Sequence, residues 1–372
     1  MTRRDQARSR FQALSSSTAL TVSRRILLTL PASVFLLAPP AMAQDAKDYV
    51  LDSGSVVWNT DQSFADDMII GLENKGTTLT INSGADVLIA NRGIIAGLGG
   101  SQAMVTVSGP GSELNVLRTP YVLGNSLTIG GGCNGYSVMC ISGGDGTLIV
   151  ENGGKVDAKN IRVGEGQGAR GTLIVTGAGS TVSADHLGTQ GLIASPSSVV
   201  VEKGGSILTN TASLGAFTTD DTESGATVRG TGSSWLNSGR LDLIGDLKVE
   251  DGGTMSTSTA YLDDAGDLLV TGAGASFTAT DSIGIVADSH VVVANGATLN
   301  VTNAINVGRD GYLVIGGEVD TDALQGLPTA IDTQAAGKVS AGTRIDFGTS
   351  GSGRLVFNHT DTGYEFSNKL VG

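Results

Sequence analysis

Cysteine, histidine, proline and aromatic residues are all scarce in this chain, and each scarcity excludes something. The 7 prolines and the absence of a G-X-Y triplet rule out collagen. The two cysteines, Cys133 and Cys140, are too far apart for a CxxC metal or redox site. The 3 histidines, His186, His290 and His359, form no H-x-x-x-H pair. Charged residues make up only 16% against 40% apolar ones, a balance that argues against disorder. The apolar stretch Ile26 to Ala38 is too short for a membrane-spanning helix. Long 3.6-period stretches and capping pairs are nearly missing, so helices are not expected. With 4% aromatics the chain suits narrow stacked turns built from small side chains.

What is abundant is glycine, 55 of 372 residues and about twice the usual share. Much of it falls in a repeated phrase. Asp246-Leu-Lys-Val-Glu-Asp-Gly-Gly is followed by Asp267-Leu-Leu-Val-Thr-Gly-Ala-Gly, Ser289-His-Val-Val-Val-Ala-Asn-Gly and Gly311-Tyr-Leu-Val-Ile-Gly-Gly, starting 21, 22 and 22 residues apart. A fixed period in the twenties marks a solenoid.

One clear unit spans Gly146 to Gly164. Its apolar residues pair at the strand spacing of two: Leu148 and Val150, Val156 and Ala158, Ile161 and Val163. Gly153-Gly154, Asn160 and Gly164 mark corners, so three short strands make one triangular coil. Like residues then stack in ladders whose aliphatic rows fill the interior. The expected fold is all-β, a parallel β-helix of roughly 21–25-residue coils. The strand-crossover rule makes it right-handed. Residues 77–317 hold ten or eleven such coils. Residues 44–76 fit the period poorly and read as an N-terminal cap. Residues 318–372 read as an irregular coil and the start of a further repeat block.

Residues 1–43 read as a signal peptide, with an arginine-rich start and an Ala41-Met42-Ala43 cleavage site before Gln44. Ser23-Arg24-Arg25-Ile26-Leu27-Leu28 fits a Sec signal and also resembles a twin-arginine one. The segment holds six arginines and one aspartate, so its removal takes the net charge from −13 to −18. Such acidity disfavours nucleic acid and anionic lipid as partners. Export also permits a small loop disulfide between Cys133 and Cys140, with free thiols as the alternative.

A second motif, G-x-G-S-x-(apolar), recurs at Gly109, Gly177 and Gly230, with Gly272-Ala-Gly-Ala-Ser-Phe277 as a variant. Together with the G-x-L-x-V strands and I-x-V-G ends it resembles the repeats of bacterial autotransporter passengers. Phe357-Asn-His-Thr360 with Tyr364 and Phe366 resembles the stretch that closes one repeat block in that family. The resemblance covers roughly residues 77–372. It implies secretion through a C-terminal outer-membrane β-barrel and folding on a Gram-negative cell surface. No barrel-like run of alternating segments is present, so a passenger truncated before its barrel is expected.

Catalytic patterns fare poorly. Leu51-Asp52-Ser53-Gly54-Ser55 resembles the GDSGS of autotransporter serine proteases but has no histidine before it. Gly164-Glu-Gly-Gln-Gly168 lacks the lysine and helix of a phosphate loop. Trp235 occupies the place of Phe277 and Val182 and reads as a packing residue, or as a sugar-stacking platform. Two acidic loops, Asp220, Asp221 and Glu223, and Asp263, Asp264 and Asp267, offer hard-cation ligands or paired carboxylates. They start 43 residues apart, near two coils, which puts them on one face. Solvated loops are the plainer reading. The leading functional expectation is a non-enzymatic passenger without cofactor, an adhesin or stalk contacting molecules of host or neighbouring cells. A β-helical lyase or glycosidase and a functionless fragment are the alternatives.

Overall fold

In the computed structural model the described residues are 48–117, 126–131, 143–166, 168–189, 196–215, 224–320, 329–330, 332–348 and 352–372. Among them there is no helix, and strands stack in parallel as a β-solenoid. A 12-stranded ladder runs from Ser55–Trp58 to Arg354–Asn358 and forms the first face. A 21-stranded sheet carries the second and third faces. Ten strands of the first ladder lie between Thr77 and Gly316, within the expected ten or eleven coils. Twelve strands at about 4.8 Å spacing make a rod about 50 Å long.

The interior rows are those of the sequence pattern. Leu148, Leu173, Val199, Ala226, Leu247, Leu268, Val291 and Leu313 are successive register partners, all buried. Each buried Leu or Val removes enough apolar surface from water to contribute about 1.5–3 kcal/mol. In the unit used above, all six apolar residues are at most 1% exposed. Its second and third strands, however, are one continuous strand, Lys155–Val163, as are Thr181–Gly188 and Ser206–Leu214. No residue in these segments takes a positive φ, and the register skips only one pair per step there, Lys159 with Asp185 and Asp185 with Asn210. From Ser234–Asn237 onward the two strands separate, as in Thr254–Thr257 and Thr259–Leu262.

The corner between the first and second faces alternates between two turns. Asn152-Gly153, Lys203-Gly204, Asp251-Gly252 and Asn295-Gly296 place two consecutive residues at positive φ. Between them fall the G-x-G-S turns at 109, 177 and 230 and the variant at 272. The recurring serine staples one coil to the preceding one. Ser112, Ser180 and Ser233 are fully buried, and each hydroxyl accepts the backbone N–H of Gly84, Gly153 or Gly204 at 3.0 Å. Gly179 sits against the backbone of Gly153, with an added Cβ 3.6 Å from its Cα, and its φ of +82° favours glycine independently.

Residues 48–76 contribute strands to both sheets, pairing with the coil above. Tyr49, Trp58 and Phe64 pack together there with ring centroids 4.9–5.4 Å apart. Burial pushes the Tyr49 hydroxyl pKa up to about 12.

First-ladder partners lie 21–27 residues apart in sequence except at two steps, Val105 to Leu148 and Leu313 to Leu355. Both steps hold insertions. The second carries a small antiparallel hairpin, Val319–Asp320 with Thr329–Ala330.

Candidate binding surfaces

Several of the residues singled out above lie outside the described residues: Ala43 and Gln44, Cys133 and Cys140, and Asp220, Asp221 and Glu223. Asp263 and Asp264 occupy the corner between the third and first faces, where the Asp263 carboxylate accepts the Asp264 N–H at 2.9 Å. Asp267 heads the next first-ladder strand and accepts from His290 Nδ1 at 2.7 Å. Asp52 of the GDSGS-like turn is buried, and its carboxylate accepts the backbone N–H of Glu73 and Asn74 and the Asn74 amide. It ties two coils together rather than facing a nucleophile. Asp48, Asp66 and Asp67 bring carboxylate oxygens within 4.8 Å of one another, a grouping the sequence reading missed because it joins two corners of adjoining coils. Asp67 is already ion-paired with Arg92.

The first face is partly covered by the chain itself. Leu269, Val292, Val314 and Val356 are successive outward partners, positions that face water elsewhere on such a ladder. Here Val292, Tyr312, Val314 and Val319 form a second apolar cluster outside the solenoid core, with Leu269 and Val356 packed against it. The insertion after Gly316 is what covers it. Asn358 holds the neck of that insertion, its amide facing the carbonyls of Gly317, Glu318 and Asp332 while its oxygen accepts from Thr333. Tyr364 donates to the Gly337 carbonyl at 2.9 Å. Phe366 packs on the main core and meets Phe357 edge-on at 5.2 Å. The Phe357-to-Phe366 motif thus fastens the insertion.

Along the leading edge of this face run Asp246, Asp267, His290, Tyr312 and Arg354, each the register partner of the next. His290 packs on Tyr312 at 5.1 Å, and Arg354 lies over the same ring at 5.8 Å. Burial raises the pKa of Asp246, and the carboxylates of Asp267 and Glu318 push it the same way against Lys248.

On the third face, outward Thr128 and Ser213 are buried, while outward Tyr261 and Asn306 are exposed. Ser213, Asp242, Tyr261, Gly284 and Asn306 form one outward column. Tyr261 is 38% exposed, and Arg240 lies over its ring at 5.1 Å while ion-pairing with Asp242. His186 shares a hydrogen bond of 3.0 Å with Thr211. Burial and Arg162 hold its pKa below the usual value, with Asp242 opposing. On the second face Trp235 points inward at 1% exposure and donates to Thr209, which continues through Asn237 to Thr257 in a buried polar chain. Burial rules out Trp235 as a sugar platform.

No family model matches the chain. A Brucella suis biovar 1 (strain 1330) protein described as the adhesin BmaC autotransporter is 28% identical over 220 residues, 55% of this chain. Over that stretch the chain is similar to an autotransporter adhesin. The matched region spans about 6% of that relative's length. The chain also aligns with a crystal structure of a TibC-catalysed, hyper-glycosylated TibA fragment, residues 55–350, at 15% identity and a TM-score of 0.34, covering 90% of this chain and 97% of the other. The three histidines are dispersed: His186 on the third face, His290 on the first and His359 beside Tyr364. What it presents is extended: one face capped by its own insertion, one lined with paired charges and an exposed ring.

Proposed function

We propose that this passenger is a non-enzymatic, adhesin-like protein of a Gram-negative cell surface. The signal segment 1–43 starts its export, and an outer-membrane barrel in the full-length product carries it across the outer membrane. It contacts molecules of host or neighbouring cells through the long faces of the solenoid. The observation that carries this reading is the sequence likeness to an adhesin autotransporter over 220 residues. The extended ladders support it, since stacked coils offer a long contact surface.

The test is to display residues 44–372 on a non-adherent bacterium behind a heterologous barrel and count cells retained on host-cell monolayers. Antibody staining of intact cells confirms display. Retention well above the barrel-only strain is expected. Confirmed display without added retention overturns the adhesin reading. Release of reducing sugar or unsaturated uronate from polysaccharides by the purified chain overturns the non-enzymatic part.

A further inference from the structure

Tyr261 and Phe357 are the exposed aromatic residues set within the described ladders, and Phe357, on the last first-face strand, already packs with His359, Tyr364 and Phe366. Tyr49 is half-buried among rings, while Tyr312, Trp235 and Phe277 are buried. Tyr261 instead stands out from strand Thr259–Leu262, whose alternate residues Ala260 and Leu262 fill the core. Its position is set from two sides. On the following coil Gly284 leaves the ring room to lean over the sheet, since a Cβ there would stand 3.0 Å from Tyr261 Cδ2. On the preceding coil the Arg240 guanidinium sits 5.1 Å from the ring centroid, anchored by Asp242. A ring held this way loses little freedom when something binds to it.

The chemistry around it is polar and internally neutralised. Arg162, Arg240 and Arg344 on this face pair with Glu165, Asp242 and Asp346. An arginine–carboxylate pair offers donors and acceptors side by side without net charge. The chain as a whole carries −13, which opposes a polyanionic ligand. An exposed aromatic body beside uncharged hydrogen-bonding capacity matches a molecule with an apolar C–H face and many hydroxyls. Asn306, which is exposed, extends the same column beyond Gly284 at the ladder rise of about 4.8 Å, so the surface runs along the rod on that side.

We infer that the third face binds a neutral, linear oligosaccharide, with Tyr261 stacking on a sugar ring and the Arg240–Asp242 pair bonding its hydroxyls. This rests on the adhesin reading and names the ligand class and the site.

The experiment is a glycan array of neutral gluco-, manno- and galacto-oligosaccharides beside sialylated and sulfated ones, probed with the full chain. Calorimetry on the best neutral spot follows, with Tyr261→Ala, Tyr261→Phe and Leu236→Ala, the last removing an exposed side chain on another face. The expected result is binding to a neutral oligosaccharide, weakened about tenfold or more by Tyr261→Ala. Tyr261→Phe and Leu236→Ala should bind as the parent does, and all should melt alike. Binding to no neutral glycan, preference for anionic ones, or a Tyr261→Ala chain that binds as well as the parent overturns the inference. The same variants go into the cell-retention assay. Retention untouched by Tyr261→Ala overturns the saccharide site and leaves the adhesin reading standing. Neutral-glycan binding without cell retention does the reverse.

Discussion

The first and third faces of this solenoid are built from the same kind of strand, yet they meet water differently. On the first face the outward residues Val292 and Val314 are buried, at 8% and 0% exposure, because an insertion folds back over them. On the third face the outward Tyr261 stays exposed with a paired charge beside it. An outward position on a β-solenoid therefore has no fixed character. It becomes core where the chain returns to cover it and remains a contact surface where it does not.

Substitutions can break that contrast, and the largest effect belongs to the covered face. Val314→Asp places an unpaired carboxylate in a closed apolar cluster and should cost about 3 kcal/mol or more. Limited proteolysis should then cut between 317 and 337 while the rest of the ladder persists; an uncut insertion would refute the covering role. Asn358→Ala removes the amide that holds the insertion neck and should cost about 1–2 kcal/mol, read as a lower denaturation midpoint with faster cleavage at the same place.

Asp246→Asn should act in the opposite direction. Its folded carboxyl pKa is raised above the ordinary value of 3.8, first by burial and then by Asp267. The folded state therefore holds this proton more tightly than the unfolded chain does. Stability is lost as pH rises from that ordinary value through the raised one. The variant should melt above the parent at pH about 7 and converge with it near pH about 4, toward the usual carboxylate range. A lower melt at both values would contradict the assignment. Tyr261→Ala on the third face should change stability least, within about 0.5 kcal/mol, because it supports no core contact.

Much of the architecture was legible in the residues. The strand-period pairs Leu148/Val150, Val156/Ala158 and Ile161/Val163 all point inward as read. Trp235 proved to be a core residue, as its alignment with Phe277 and Val182 suggested. The serine of G-x-G-S was visible as a motif, but its partner was not. That partner is a backbone N–H of the preceding coil, 27–29 residues back. The acidic residues Asp263, Asp264 and Asp267 were legible as a cluster, yet the chain divides them between a corner and a strand paired to His290.

By itself, then, the sequence determined the period, the parallel stacking and which residues face inward. Those depend on alternation along one strand and on like residues recurring at one spacing, both local properties. Tertiary structure alone decided which outward residues are covered. The apolar cluster of Val292, Tyr312, Val314 and Val319 joins a ladder column to an insertion. Tyr261 is defined by Arg240 on one coil and Gly284 on another. Contacts made by an irregular segment leave no periodic trace, because they depend on where that segment comes to rest.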